Sequence, residues 1–240
     1  SNIMIHIMPY LYNVCPSHGI LHMQTVFYHA VEAIKSNCYA ELPDHIKTSI
    51  VIAAFLHDID DRKFFNTMNY ENAREIIKNI GQEENEELII KMIKYVSSSK
   101  NRNEINDECK NNPWLLIPRY CDRIEAIGMI GLERTYRYTK TINRKLFNEH
   151  TKKYRTRDEL LSKELQERYE SYTGDSITMI DHMYDKLLHI CKDKVGNEYI
   201  DKIIEERNEF MINFCLQFGR GEFENEEAVE KYILSLEKLF

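Results

Sequence analysis

In the segment LHDIDD, residues 56–61, an imidazole and a carboxylate are neighbours at His57-Asp58. One short stretch of chain can therefore offer a ring nitrogen and a carboxylate oxygen to a single ion. By itself such a dipeptide is common, and His57 has an ordinary alternative role in closing the C-terminal end of its helix, where the dipole favours an imidazolium. Two further residues change the balance. His22 precedes Val26 by one helical turn on an amphipathic pattern, and Asp122 stands in RYCDRIEAIG among apolar helical neighbours. A carboxylate on such a face is costly unless it is paired or bound to a metal. Two histidines and two aspartates make a mixed nitrogen and oxygen donor set. That set suits a divalent ion such as Mn²⁺, Mg²⁺, Co²⁺ or Zn²⁺, with positions left for water and a phosphate oxygen. The ordinary alternatives are a hydrogen-bonded core histidine at 22 and a surface carboxylate at 122.

These residues carry a resemblance. The sequence resembles the HD-domain phosphohydrolase superfamily, whose pattern is H…HD…D on a helical core. His22 in HMQTV matches the first His, His57-Asp58 after IAAFL matches the HD pair, and Asp122 matches the final Asp. It is also similar to the bacterial single-domain nucleotide pyrophosphatase branch, at Ser17-His18 through His22, HDIDDRKF (57–64), DRIEAIGMIGLERTY (122–136) and DSITMIDHMYDKLL (175–188). The matches run in order across about residues 17–215. Three departures stand out: Asp60 replaces the branch's loop Gly, Gly19 rather than Asp follows His18, and residues 140–174 match nothing. No further His follows the HD pair at the spacing of two-metal branches.

The resemblance implies an all-α, HD-domain helical bundle with additional C-terminal helices. It implies that His22, His57, Asp58 and Asp122 bind one divalent metal ion, Mn²⁺ or Mg²⁺ first, with Co²⁺, Ni²⁺ or Zn²⁺ as alternatives. Asp61 would orient or deprotonate the attacking water, its alternative being a solvated loop acid or an N-cap. Lys63, Arg123, Arg134 and Lys186 are cations at shared positions, where a triphosphate needs donors that one divalent ion cannot replace; solvated surface charge is the alternative for each. His18 lies one turn before His22 and would contact phosphate or support the site from behind. It does not open a zinc-protease H-E-x-x-H motif, because residue 19 is Gly. His182 and Tyr184 line or pack the pocket. The implied activity is hydrolysis of (deoxy)nucleoside triphosphates to monophosphate and pyrophosphate. Alternatives are a phosphodiesterase or nucleotidase acting on a monophosphate, cyclic or signalling nucleotide, or a non-catalytic nucleotide- or metal-binding module with 140–174 as its contact surface.

The elements that must position these residues read as helices. The chain has 240 residues, with 8 Gly and 5 Pro, too little punctuation for many short strands. It is read as a single HD-type domain, with a core over about 17–135, an insertion over 140–174 and C-terminal helices over 175–240. Apolar spacing predicts helices over 20–36, from Pro43 to His57-Asp58, over 70–80 capped by Asn69, over 84–96, and from Pro113 to about 127 with Pro118 as a kink or the true start. Further helices are predicted over 176–192, 197–217 and 225–238. Residues 60–68 and 97–112 read as loops, and 140–174 as extended or weakly helical.

Net charge is −7 and pI near 5.8, with no long basic run, which argues against duplex nucleic acid as a partner. The apolar opening residues are too short and lack the flanks for a signal peptide or membrane span. Six cysteines with no C-x-x-C pair read as free thiols in a reducing, cytoplasmic setting. A nucleotide is the expected small-molecule partner, no membrane partner is expected, and a homodimer is left open.

Overall fold

The computed structural model describes residues 2–11 and 19–239. Among them there are helices and turns and no strand, as the all-α reading expects. His18 lies outside the described residues. No helix among the described residues is long and apolar enough to cross a membrane. The chain divides into two compact units, Ser1–Asp122 with Val195–Ile200, and Arg123–Lys194 with Asp201–Phe240.

The first unit is built around the Asp44–Leu56 helix. Its residues from Ile52 to Leu56 are buried in succession, with Ser49 and Ile50 before them. A helix apolar on every side belongs inside a bundle. It packs against Ile20–Ile34 on one side and Glu86–Val96 on another. Ile20–Ile34 contributes Met23, Val26, Ala30 and Ala33, and Glu86–Val96 contributes Ile89, Ile90, Met92 and Ile93. Each buried Ile, Val or Met stabilises the fold by about 1.5–3 kcal/mol relative to exposure. Ala53 and Ala54 on the central helix are wholly buried, so its neighbours meet backbone rather than large side chains there.

Several predicted elements take a different form. The stretch 97–112 is not one loop. It holds short helices at Ser98–Asn101 and Asp107–Asn111, the latter capped by the Asn106 side chain accepting from Cys109 N–H. These helices are too short for a periodic apolar stripe. The helix predicted from Pro113 is divided into a 3₁₀ turn Pro113–Leu116, the α-helix Ile117–Arg123 and a 3₁₀ turn Ile124–Ala126. Pro118 therefore sits in the first turn of the α-helix, where it lacks no needed N–H. Asn69 does not cap the next helix, Glu71–Asn79. The N-cap position is Tyr70 in the left-handed region, at φ 58° and ψ 35°.

In the second unit, Gly128–Thr141 packs with Glu226–Leu236, and Tyr136 donates to Glu230 across them at 2.7 Å. The predicted helix over 176–192 is shorter: Met179–His182, capped by Thr178, runs into a π-helical turn Met183–Leu187. The 140–174 region holds buried Leu146, Thr151 and Tyr154 in bends and loop, then helices Arg157–Leu160 and Lys163–Glu170. The Tyr154 carbonyl lies against Gly219, where a Cβ would stand 1.6 Å from the carbonyl oxygen, so only glycine fits that crossing.

Candidate metal centre

Three separate stretches of the first unit bring the four predicted donors together. His22 sits in the first turn of Ile20–Ile34, one position before the core residue Met23. His57 occupies the C-cap of Asp44–Leu56, and Asp58 follows in the turn. Asp122 comes from Ile117–Arg123. The His57 ring donates from Nδ1 to the Ala54 carbonyl at 2.8 Å, a bond within its own last helical turn. That bond places the proton on Nδ1 and turns the Nε2 lone pair toward the cluster.

The donor atoms face one another closely. His22 Nε2 lies 3.3 Å from His57 Nε2 and 3.1 Å from Asp122 Oδ1. Asp58 Oδ2 is 3.6 Å from His22 Nε2 and 3.2 Å from His57 Nε2, while Asp122 Oδ1 is 3.2 Å from His57 Nε2. Bonds of about 2.0–2.2 Å from one ion to nitrogen and oxygen donors separate neighbouring donors by roughly 3.0–3.5 Å. The observed spacings fall in or just beyond that range, and the donor chemistry suits a divalent cation. The imidazoles are nearly closed off, with 7% and 1% of the side chains of His22 and His57 exposed, whereas Asp122 keeps 30%. The cluster is thus dry at its nitrogen side and open at a carboxylate.

Charge within the cluster is strongly coupled. Burial works to discharge His57, but Asp58 and then Asp122 outweigh it and hold its pKa well above the ordinary imidazole value. Burial likewise works to raise Asp122, and His57 and His22 outweigh that to hold it well below the usual carboxylate range. A bound cation takes over the role of that proton, because histidine and carboxylate ligands must be deprotonated to bind metal.

The turn beyond the HD pair carries Asp61 and Lys63. Asp61 Oδ1 accepts from the Lys63 backbone N–H at 2.9 Å, and its carbonyl accepts from Phe64 and Phe65 N–H. Lys63 is exposed. Arg123, Arg134 and Lys186 belong to the second unit. Arg123 is buried and donates to the Ile190 carbonyl at 3.1 Å, and Arg134 donates to the Glu125 carbonyl at 2.8 Å. Lys186 lies in the π-helical turn, close enough to His182 to help burial drive that imidazole's pKa down to about 4. Tyr184 is fully buried and donates to the Lys152 carbonyl at 2.9 Å, a packing role.

Two further residues of the first unit, to which the sequence assigned no role, bind backbone near this centre. Arg119, only 1% exposed, donates from Nε to the Tyr95 carbonyl and from a terminal nitrogen to the Glu104 carbonyl. It thereby ties the helix bearing Asp122 to the end of Glu86–Val96 and to the segment after it. Its signal is an arginine inside the apolar run WLLIPRYC. Asp60 accepts hydrogen bonds from Thr67, Asn72 and Ala73. Its signal is the acid at a loop position where the resembling branch has Gly.

The Acanthamoeba polyphaga mimivirus protein L803, itself uncharacterized, is 34% identical over 220 residues, covering 84% of this chain and 88% of its own length. The chain belongs to the family of L803. No protein-family model matches it. Among solved structures it is similar to an HD-superfamily hydrolase from Bacillus thuringiensis, with TM-score 0.61, 18% identity, and 93% and 97% of the two chains covered. It is also similar to Bacillus subtilis YpgQ, solved in complex with ADP, with TM-score 0.60, 20% identity, and 91% and 92% covered. A third is the Listeria innocua protein Lin1889, with TM-score 0.52, 23% identity, and 89% and 91% covered. The fold that the chain shares with these proteins is the HD-domain helical fold.

Proposed function

We propose that this protein is a metal-dependent phosphohydrolase that converts a nucleoside or deoxynucleoside triphosphate to monophosphate and pyrophosphate. The observation that carries the reading is the cluster of His22, His57 and Asp58, whose donor atoms all lie within 4.8 Å of one another, with Asp122 Oδ1 3.1 and 3.2 Å from the two imidazoles, on a fold shared with an HD-superfamily hydrolase. Those four side chains would hold one divalent ion, with Mn²⁺ or Mg²⁺ first. Bound there, the ion supplies Lewis acidity toward water and a phosphoryl oxygen. The His57–Ala54 bond occupies Nδ1 and leaves Nε2 facing the cluster.

Asp61 stands one turn beyond Asp58, with its carboxylate oriented by the Lys63 N–H. It is assigned to steer the attacking water and accept its proton. Lys63, exposed on the same turn, is assigned to meet charge on the phosphate chain. The resemblance assigns phosphate contact also to Arg123, Arg134, Lys186 and His18. One terminal nitrogen of Arg123 is engaged by the Ile190 carbonyl. That a structural relative was solved with ADP supports a nucleotide as the substrate class.

The test is a nucleotide panel incubated with pure protein in Mn²⁺, Mg²⁺, Co²⁺, Ni²⁺ and Zn²⁺, with products separated. Monophosphate with pyrophosphate supports the reading. Phosphate or a linear nucleotide moves the assignment to a nucleotidase or phosphodiesterase. Absence of product from every triphosphate in every metal sinks it.

A further inference from the structure

The loop after the HD pair has little core of its own: Arg62, Lys63, Asn66, Met68 and Asn69 are exposed. Its far end is held at Asn69, whose N–H donates to Glu71 and whose carbonyl accepts from Arg74, both at 2.9 Å, and its start is held by one carboxylate. Asp60 Oδ1 accepts from the Thr67 hydroxyl at 2.7 Å and from Asn72 N–H at 3.0 Å, and Oδ2 accepts from Ala73 N–H at 2.9 Å. Asn72 returns a bond from its side-chain amide to the Ile59 carbonyl at 2.9 Å. Asn72 and Ala73 are the second and third residues of Glu71–Asn79, whose first-turn N–H groups need acceptors. Tyr70, at the N-cap in the left-handed region, makes no side-chain cap bond. Asp60 thus does from a distant turn what an N-cap residue normally does locally, and negative charge there also meets the positive end of the helix dipole.

We infer that Asp60 is a positioning residue: it pins residues 61–70 to the Glu71–Asn79 helix and so holds Asp61 in place beside Asp58. This rests on the reading in which Asp61 serves the attacking water. A glycine at 60, the residue of the resembling branch, supplies none of these three bonds. This chain therefore fixes the loop by hydrogen bonding to a helix terminus.

The experiment uses the full chain and compares wild type, Asp60→Asn, Asp61→Ala and the double variant. Mn²⁺ affinity, kcat, KM and backbone amide exchange over 61–73 are measured for each. Asp60→Asn keeps the size but turns a donor toward a backbone N–H. In the wild-type background it lowers kcat about tenfold, moves KM less than about threefold, and leaves the Mn²⁺ affinity within about twofold. Exchange over 61–73 quickens. In the Asp61→Ala background the same substitution changes kcat less than about twofold, because its route of action is already gone. Thr67→Val, which removes one of the three bonds, gives a smaller loss in the same direction and serves if Asp60→Asn folds poorly.

An equal kcat loss in both backgrounds makes Asp60 merely structural and overturns the proposal. So does faster loop exchange with unchanged kcat. A wild-type protein that hydrolyses no phosphoester overturns the functional reading itself, an outcome distinct from a wild type that works and an Asp60 variant that works equally well.

Discussion

Two charged clusters of this molecule, one in each unit, are made of similar residues and differ in the source of their positive charge. In the second unit, Arg168 donates from Nε to Asp185 at 2.7 Å and from a terminal nitrogen to Asp181 at 2.9 Å. Ser176 and Thr178 satisfy the remaining carboxylate oxygens at 2.8 and 2.7 Å. Burial works against the guanidinium's charge, but Asp185 and Asp181 outweigh it and raise its pKa. That cluster carries its own permanent cation. In the first unit, His22, His57, Asp58 and Asp122 include no lysine or arginine, and their positive charge is a titratable imidazole that a metal can replace. Carboxylates gathered around arginine carry their own counter-charge; carboxylates gathered around facing imidazole nitrogens offer donors to a metal.

The contrast breaks most visibly under ligand removal. His57→Ala or Asp122→Ala is expected to lower hydrolysis on the order of 10³-fold, beyond the 10–100-fold that outer-shell partners cost. Metal affinity, read by titration calorimetry, falls with it. Activity that survives either substitution would remove the distinction between the clusters.

Arg168→Ala tests the other side. Removing the cation strands two part-buried carboxylates and is expected to cost about 3 kcal/mol in urea unfolding, while Mn²⁺ affinity stays unchanged. A loss of metal affinity there would show that the clusters are not separate in function.

Metal itself is expected to stabilise the protein. At a free concentration about a hundredfold above Kd, Mn²⁺ adds about 2.7 kcal/mol, seen as a higher Tm that EDTA reverses. The shift persists in Arg168→Ala and vanishes in His57→Ala; the opposite pattern would reverse the assignment.

The smallest effect is on acid stability. His189 is fully buried, its ring stacked on Tyr169 and its Nε2 bonded to the Tyr184 carbonyl at 2.7 Å. Burial and Lys192 lower its pKa to about 4, and His182 is lowered to about 4 as well. With the folded pKa below the unfolded value, the unfolded chain takes up more protons as pH falls below about 6.5. Stability is therefore full above that pH and lost as pH falls through about 4. By pH 5 His189 alone costs about 2 kcal/mol. His189→Gln should flatten this acid slope in denaturant unfolding between pH 7 and 5, and an unchanged slope would remove the histidine from the account.

The four donors were legible in the sequence because each sits at a place with local rules. His22 lies beside an apolar helical stripe, His57-Asp58 closes a helix after an apolar run, and Asp122 interrupts an apolar face. The all-helical architecture followed from scarce glycine and proline. What could not be read was long-range. The Asp60 cap joins residues 12 and 13 positions apart, with Tyr70 in a backbone state that no side-chain pattern announces. Arg119 binds backbone carbonyls, which carry no sequence signature. The π-helical turn at Met183–Leu187 broke a helix whose apolar spacing looked continuous, because that spacing does not distinguish one extra residue per turn.

The most direct test of the central claim is anomalous diffraction from a crystal soaked in Mn²⁺. The account predicts one strong peak about 2.0–2.3 Å from His22 Nε2, His57 Nε2 and one oxygen each of Asp58 and Asp122. A crystal that takes up Mn²⁺ elsewhere, with no peak among these four side chains, would contradict it.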